Sequence, residues 1–271
     1  MIFLIKMIVV DLDGTLLDKN RKVSNNTKEY LKKLKNNGYI VTIATGRIYT
    51  SALYATDGAD FANYIISDTG TCAYNVSNSD PILKNFIDKE IAKKILNYYD
   101  ENYCYIDICD KNTIYKYSNK IQKNCDHYIK TIKDKNYILN NCNDISHITI
   151  SMKDNEDVMN LYNELMKDFC QLNIIIMQDS FSNRKWIEIM PKGCSKYNTI
   201  KDLACYLNIS NEEIIAFGDG LNDIEMLKKC GIGIALKNAL PEVKEVANDI
   251  TIYDHNNDGV INYLKDYLNN N

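Results

Sequence analysis

Apolar and polar positions along the first 70 residues alternate in the rhythm of strands and helices. Apolar runs lie at 7–10, 39–44 and 64–67. Between the first two lies a largely polar stretch at 24–35, in which Leu31 and Leu34 share one helical face. Short runs rich in Ile and Val are typical of strands that are buried on both sides. Strand, helix and strand in this order indicate a parallel sheet. We therefore predict that the chain begins as an α/β sheet.

Between residues 83 and 189 the rhythm changes to that of an α+β unit. Helices are predicted at 87–99, 121–132 and 157–169, and strands at 103–108, 113–117, 145–152, 174–178 and 185–190. Two of these strands follow each other closely, as in a hairpin, which is typical of an antiparallel sheet. Pro81 and Pro191 lie near the two edges of this region, where linker residues are common.

From Ser195 the α/β rhythm resumes. Helices are predicted at 196–207, 224–229, 239–246 and 260–268, and strands at 214–217, 231–236 and 250–252. We therefore predict an α/β fold in which residues 1–82 and 190–271 form one doubly wound, Rossmann-like parallel-sheet domain. Residues 83–189 then form an α+β domain that is inserted into it.

Composition excludes several classes of partner. The net charge of −4 gives no electrostatic footprint for nucleic acid, and no run of 18 apolar residues predicts a membrane span. The nine cysteines form no Cys-x-x-Cys pair, and the three histidines do not flank them at the spacing of a zinc site, so they indicate free thiols in a reducing compartment. We expect a cytoplasmic protein that binds neither nucleic acid nor membrane.

The candidate chemistry begins where the first apolar run ends, at Asp11 and Asp13, which are followed by Gly14. Open α/β sheets bind their ligands at the carboxyl ends of strands, so two acids there favour a functional site. A calcium loop of the EF-hand type is excluded because its fifth, sixth and twelfth positions would be Thr15, Leu16 and Lys22. A plain acidic turn remains the alternative for this stretch alone.

Polar residues follow two further strands. Thr45 and Gly46 follow the second strand, and Asp219 and Asp223 follow the strand at 214–217. A hydroxyl beside a glycine N–H suits an anion, and Lys196 begins the helix after the inserted region. Each residue also has a structural alternative: Thr45 as a helix N-cap, Lys196 as a surface lysine, and Asp223 as a first-turn acid that serves the helix dipole.

These motifs together resemble the haloacid dehalogenase-like (HAD) superfamily, and more closely its Cof-type phosphatases, which carry a large α+β (C2B-type) cap. The resemblance covers the whole chain. It rests on Asp-x-Asp-Gly-Thr from Asp11, Thr-Gly-Arg from Thr45, the stretch 193–196, and Gly-Asp-Gly-x-Asn-Asp from Gly218, in this order. It implies that residues 1–82 and 190–271 are a HAD core domain and that residues 83–189 are an inserted α+β cap domain.

The resemblance implies a role for each residue. Asp11 would attack phosphorus and form an aspartyl phosphate, and Asp13 would act as general acid and then general base. The implied Mg²⁺ site would use Asp11, Asp13 through its carbonyl, and Asp219, with Asp223 orienting a ligand. The residues implied to bind the phosphoryl group are Leu12, Thr45, Gly46, Lys196 and Asn222.

We therefore expect a Mg²⁺-dependent phosphatase of the HAD superfamily that acts on a small phosphorylated metabolite. A sugar phosphate or a phosphorylated cofactor, such as pyridoxal phosphate or flavin mononucleotide, is the expected substrate class. Two alternatives remain: a phosphomutase of the phosphomannomutase type, and a non-catalytic sensor of phosphorylated ligands on the same fold. A monomer is favoured.

One segment departs from the pattern of Cof-type relatives. After the third strand they usually carry Asn-Gly-Ala, whereas this chain has Asp68-Thr69-Gly70-Thr71. The segment faces the active site in the family, so its usual substrate contacts are in doubt. The residues expected to set substrate specificity are Arg47, Asp68, Thr71, Asn183 and Arg184.

Overall fold

The computed structural model describes residues 4–98, 103–118, 126–152, 155–178 and 184–270. The chain forms two compact units, one made of Met1–Leu83 with Ser195–Asn271 and the other of Lys84–Cys194. The sequence places the borders after residues 82 and 189. The second border lies later because Pro191 at the end of a strand still pairs with Leu172. The assignment of the units as a core domain and an inserted cap domain stays a prediction.

The elements up to residue 84 are the first strands of one sheet and the helices between them. They are β1 at Met7–Val10, α1 at Asn25–Asn36, β2 at Ile40–Ala44, α2 at Tyr49–Ala55, β3 at Tyr64–Ser67, β4 at Cys72–Asn75 and β5 at Pro81–Lys84.

The elements of the second unit follow. They are α3 at Lys89–Leu96, β6 at Tyr103–Cys109, β7 at Ile114–Tyr117, β8 at Ile129–Ile132, α4 at Lys135–Asn141, β9 at His147–Met152, α5 at Asn155–Asp168, β10 at Leu172–Gln178 and β11 at Lys185–Pro191.

The chain then returns to the first unit. Its remaining elements are α6 at Lys196–Tyr206, β12 at Ile214–Gly218, α7 at Ile224–Lys229, β13 at Ile232–Ala235, α8 at Pro241–Val246, β14 at Asp249–Ile250 and α9 at Gly259–Asn270.

The first unit is built on a sheet with the strand order β14-β13-β12-β1-β2-β3-β4-β5. The strands from β14 to β3 pair in parallel, whereas β4 pairs antiparallel with β3. Parallel strands need crossover helices on the faces of the sheet, which explains why β1 is buried throughout. Met7 and Val9 join the apolar cluster of α6, α7 and α8, while Phe217 of β12 contacts Tyr263 of α9. This arrangement confirms the predicted fold class, an α/β core with a parallel sheet.

The second unit contains a sheet with the order β10-β11-β9-β6-β7-β8. One face carries isoleucines such as Ile106, Ile150 and Ile187, which are buried together with apolar residues of α3, α4 and α5. The residues between them alternate to the other face, as strand geometry requires. There Lys116 lies 3.2 Å from the Asp107 carboxylate, so this sheet has one apolar and one charged face.

The structure corrects several details of the sequence prediction. Ile129–Ile132, part of a predicted helix at 121–132, is strand β8 paired in parallel with β7; residues 121–125 lie outside the described part. β4 and β5 extend the first sheet where only a border was expected, and Pro81 begins the edge strand β5, a position that proline tolerates. Across the described residues, no helix combines the length and apolar character that a membrane crossing requires.

Candidate active site

The ends of three adjacent parallel strands bring the predicted site residues together. Asp11 follows β1, Thr45 follows β2 and Asp219 follows β12, and β1 lies between β2 and β12 in the sheet. The Asp11 N–H donates to the Phe217 carbonyl at 3.0 Å, so Asp11 extends the β1–β12 ladder by one residue. The residues that the sequence places at strand ends are therefore neighbours in space.

The ammonium group of Lys196 is the central charge of this site. It donates to Asp11 Oδ1 at 2.7 Å and to Asp223 Oδ1 at 2.6 Å, and its side chain is only 1% exposed. A buried cation of this kind is retained where it pairs with carboxylates. The alternative of a surface lysine at the start of α6 is therefore wrong.

Asp223 holds the loop after β12 in place. Its Oδ2 accepts hydrogen bonds from the backbone N–H groups of Asp219 (3.0 Å) and Gly220 (2.9 Å). Its carboxylate makes no capping hydrogen bond to α7, but it does cap the 3₁₀ turn Leu221–Asp223 that precedes α7. The alternative of a first-turn acid therefore holds for this turn, and the same carboxylate also binds Lys196. Gly218 permits this loop, because a β-carbon there would lie 2.5 Å from the β-carbon of Asp223.

Asp219 is placed by the turn that follows Asp13. Thr15 Oγ1 donates to Asp219 Oδ1 at 2.8 Å. Gly14 has a φ of 81°, and a β-carbon at this position would lie 2.2 Å from Asp219 Oδ2. Glycine is therefore required here for two reasons: the backbone is left-handed, and the carboxylate approaches the bare α-carbon.

Three carboxylates converge within the buried part of the site. Oxygen atoms of Asp11, Asp219 and Asp223 all lie within 4.8 Å of one another, and all three residues are buried. If every carboxylate is ionised, this cluster and Lys196 carry two net negative charges. Carboxylate oxygens in such a cluster are the donors that Mg²⁺ prefers.

The electrostatics of this cluster are unfavourable without a further cation. Burial raises the pKa of Asp11 well above its usual range; Lys196 offsets part of this, while Asp223 and Asp219 add to it. Burial and the nearby Asp223 raise the pKa of Asp219 to about 7. Burial lowers the pKa of Lys196, but Asp11 and Asp223 outweigh this effect and leave its pKa raised. The site therefore favours the charged form of Lys196 and disfavours the ionised forms of Asp11 and Asp219.

Asp13 is more exposed than the carboxylates of the buried cluster. Its side chain is 54% exposed and forms a bidentate ion pair with Arg47, in which Nε and Nη2 each donate to one carboxylate oxygen at 2.6 Å. Arg47 is one of the residues that the sequence proposes for substrate specificity. Here it touches Asp13, and both oxygens of the proposed general acid are occupied by guanidinium N–H groups.

The loop after β2 forms the other wall of the site. Thr45 is buried, and its hydroxyl accepts a hydrogen bond from the Arg47 N–H at 3.2 Å. The N-cap residue of α2 is Ile48, so the alternative of Thr45 as a helix cap is wrong. A β-carbon on Gly46 would lie 3.4 Å from Thr69 Oγ1 and 3.9 Å from Asn222 Nδ2. Two polar side chains therefore face the bare α-carbon of Gly46.

The remaining sequence-predicted residues fall in different surroundings. Asp68 and Thr71 are fully buried, and the Thr71 hydroxyl donates to the Asp68 carbonyl at 2.9 Å. Arg184 is exposed, and its guanidinium carbon lies 5.6 Å from the ring centroid of Tyr105. Asn183 lies outside the described residues. The specificity roles of these residues stay predictions, as do the phosphate-binding roles of Leu12, Thr45, Gly46, Lys196 and Asn222.

The family model of haloacid dehalogenase-like hydrolases matches residues 8–264. The chain belongs to this hydrolase family. The match includes both ends of the interrupted sheet and all three strand ends of the site, and it confirms the resemblance seen in the motifs.

Curated members of this hydrolase family resemble the chain over nearly its full length. The chain is 28% identical to 5-amino-6-(5-phospho-D-ribitylamino)uracil phosphatase of Bacillus subtilis, with 97% of each chain covered. It is 24% identical to HMP-PP phosphatase of Serratia proteamaculans, with 97% of this chain and 95% of the relative covered. Together with the family match, these names confirm the expected enzyme class, a phosphoric monoester hydrolase.

Solved structures of the hydrolase family share the fold. A haloacid dehalogenase-like hydrolase from B. subtilis superposes with a TM-score of 0.83 at 24% identity, covering 96% of this chain and 99% of that one. At this identity the likeness concerns the fold. It confirms the α/β class that the sequence predicts.

Proposed function

We propose that this hydrolase is a Mg²⁺-dependent phosphatase that releases phosphate from a small phosphorylated metabolite through an aspartyl phosphate on Asp11. The observation that carries the proposal is the buried Lys196, which joins Asp11 and Asp223 beside Asp219. A carboxylate held next to a fixed cation is suited to attack an anionic phosphate ester, because the cation offsets the repulsion between them.

The residues present fit Mg²⁺ by their chemistry and by their charge. Asp11, Asp219 and Asp223 offer a buried set of oxygen donors, and the raised pKa values of Asp11 and Asp219 show that the set needs positive charge to ionise fully. Asp11 and Asp219, with the Asp13 carbonyl, would hold the ion. Bound there, Mg²⁺ would neutralise charge on the transferring phosphoryl group. Both oxygens of Asp223 already accept hydrogen bonds from the protein, so its proposed part is to orient the site.

The proposed reaction has two steps on the residues of this chain. The Asp11 carboxylate attacks phosphorus, and the bond from phosphorus to the ester oxygen breaks while Asp13 gives that oxygen a proton. Water then attacks phosphorus of the aspartyl phosphate and gives a proton to Asp13. The bond between phosphorus and the Asp11 oxygen breaks, so phosphate is released and the Asp11 carboxylate is restored. Because Arg47 engages both Asp13 oxygens, at least one of these hydrogen bonds opens before Asp13 donates its proton.

The names of the relatives support the proposed substrate class. One is named for a phosphorylated ribitylamino-uracil and another for HMP-PP, both of which are small phosphorylated compounds. We propose a sugar phosphate or a phosphorylated cofactor or cofactor precursor for this chain. Arg47, Asp68, Thr71, Asn183 and Arg184 stay the residues proposed to select it, and the cytoplasmic location and monomeric state stay predictions.

A phosphate-release screen over phosphorylated metabolites tests the proposal. We expect steady release of phosphate from a subset of the compounds with Mg²⁺, and none with excess chelator until Mg²⁺ is restored. Full activity in chelator would contradict the metal dependence. Turnover that requires a bisphosphate activator would favour a mutase, and binding without any turnover would favour a sensor of phosphorylated ligands.

The stability of the metal-free protein is expected to fall as pH rises from about 4 to about 7. The pKa of Asp219 is about 7 in the folded chain and 3.8 in an exposed reference group. Between these values the folded chain keeps a proton that the unfolded chain has lost, so the unfolding free energy decreases with increasing pH. Mg²⁺ favours the ionised carboxylate, so its stabilising effect should grow over the same range.

Thermal unfolding at several pH values, in chelator and in Mg²⁺, measures both trends. The matched control is Asp219→Asn, which removes the titrating group and should flatten the pH dependence in chelator. If the metal-free wild type and Asp219→Asn both became more stable between about pH 5 and pH 7, and by the same amount, the assignment of the raised pKa to Asp219 would be contradicted.

A further inference from the structure

The turn after β3 contains three consecutive residues with left-handed backbone. Asp68 and Thr69 both have a φ of 54°, and Gly70 has a φ of 97°. Glycine adopts this region freely, and aspartate does so fairly often, but a β-branched residue rarely does. Gly70 is required for a second reason, since a β-carbon there would lie 2.2 Å from the Ser195 carbonyl oxygen. Thr69 is thus the residue of this turn whose type the backbone conformation opposes.

Backbone hydrogen bonds hold this turn against its neighbours. The Asp68 N–H donates to the Arg47 carbonyl at 2.9 Å, and the Thr69 N–H donates to the Thr45 carbonyl at 3.0 Å. On the other side, the Thr199 hydroxyl of α6 donates to the Gly70 carbonyl at 2.5 Å. These bonds use backbone atoms of Asp68, Thr69 and Gly70 and would form equally well with glycine at position 69. They account for the shape of the turn whichever residue stands there.

The side chain of Thr69 points to the part of the site where the phosphoryl group is proposed to bind. Its Oγ1 lies 3.4 Å from the point where a β-carbon on Gly46 would stand, and Asn222 Nδ2 lies 3.9 Å from the same point. Thr69 is 4% exposed. Its hydroxyl therefore shares a small polar space with two residues that are already proposed to bind phosphate.

We propose that the Thr69 hydroxyl is a further phosphate-binding group, which donates a hydrogen bond to a phosphoryl oxygen beside the Gly46 N–H and the Asn222 amide. The inference rests on the proposed phosphatase function. It explains why a residue that strains the backbone occupies this position: a hydroxyl there stabilises the bound anion, and glycine cannot supply one.

Three substitutions at this position separate binding from backbone effects. Thr69→Ser keeps the hydroxyl, Thr69→Val keeps the shape and the strained conformation, and Thr69→Gly removes both the hydroxyl and the strain. Binding of inorganic phosphate in the presence of Mg²⁺ is measured by calorimetry, together with KM for the best substrate and the melting temperature of each variant. Thr199→Val is the matched control, because the Thr199 hydroxyl donates to the Gly70 carbonyl of the same turn and has no proposed part in binding.

We expect Thr69→Val and Thr69→Gly to weaken phosphate binding and raise KM by roughly 10-fold to 100-fold, as for the loss of a hydrogen bond to a charged group. Thr69→Ser should stay within about threefold of wild type, since it keeps the same donor. Thr69→Gly should melt at a higher temperature than Thr69→Val, because glycine relieves the left-handed backbone. Thr199→Val should lower the melting temperature, because it removes a hydrogen bond to the turn, and leave phosphate binding unchanged.

Wild-type phosphate affinity in both Thr69→Val and Thr69→Gly would overturn the proposal, even if their melting temperatures change. If Thr69→Val does not fold, phosphate binding by Thr69→Gly decides the matter alone, since its backbone suits the turn. The wild-type protein tests the proposed function separately. If wild type releases phosphate from its substrates while Thr69→Val and Thr69→Gly bind phosphate normally, only the role of Thr69 is overturned. A wild type that neither binds nor releases phosphate overturns both proposals.

Discussion

Asp11→Asn is expected to abolish turnover, with a fall in kcat of more than roughly 1000-fold, as for other lost nucleophiles. An amide does not form an acyl phosphate at a useful rate. The same change should stabilise the metal-free protein at neutral pH. Burial raises the pKa of Asp11 well above its usual range, so a neutral side chain of the same shape removes an electrostatic cost.

Steady-state kinetics and denaturant unfolding of the same preparation test both halves of this expectation. The control is Asp60→Asn, an exposed aspartate that pairs with Lys32 at the surface and should keep wild-type activity. Near-normal turnover by Asp11→Asn would refute the covalent mechanism. An inactive variant that is also less stable at neutral pH would show that Asp11 serves the fold and not only the chemistry.

Lys196→Met is expected to cause the second large loss, in activity and in stability together. The side chain is 1% exposed and is the cation that contacts both Asp11 and Asp223. Removing one partner of a buried ion pair costs about 3–5 kcal/mol, because it leaves a buried charge without compensation. We expect a loss of unfolding free energy of this order and a fall in kcat of at least roughly 100-fold, as for a lost electrostatic stabiliser.

The stability loss in Lys196→Met should shrink in acid, where the carboxylates take up protons, and this distinguishes an electrostatic cause from a packing defect. Unfolding curves at about pH 5 and about pH 8 provide the comparison. Lys201→Met, on the exposed side of the same helix, is the matched control and should change neither quantity appreciably. Equal losses at both pH values would mean that Lys196 acts mainly through packing.

The strand ends could be predicted from the sequence because the buried strands are short apolar runs that stop abruptly at polar residues. Val10 is followed by Asp11, Ala44 by Thr45 and Gly218 by Asp219, and parallel pairing then brings these ends to one edge of the sheet. The roles of the acids come from the resemblance of the motifs to the hydrolase family. The match confirms the family, and the roles themselves stay predictions. Periodicity and motif order were enough to predict the strand ends and the family.

Other features depend on contacts that the sequence does not display. The Asp13–Arg47 pair joins residues 34 positions apart, and nothing in the local pattern distinguishes it from a substrate contact by Arg47. Ile129–Ile132 becomes a strand because β7 provides a partner, which overrides its local helical pattern. Thr69 has an ordinary residue type, so only its backbone angle marks it.

The position of β1 in the sheet has a consequence for the order in which the protein can assemble during synthesis. β2 follows β1 by about 30 residues, but β12, its other neighbour, begins about 200 residues later. At roughly 5–20 residues per second, one edge of β1 stays unpaired for on the order of 10–40 s, while the continuous stretch Lys84–Cys194 is already complete. Nascent chains therefore expose an apolar strand edge during this interval, and slower translation or higher temperature should increase their loss to aggregation.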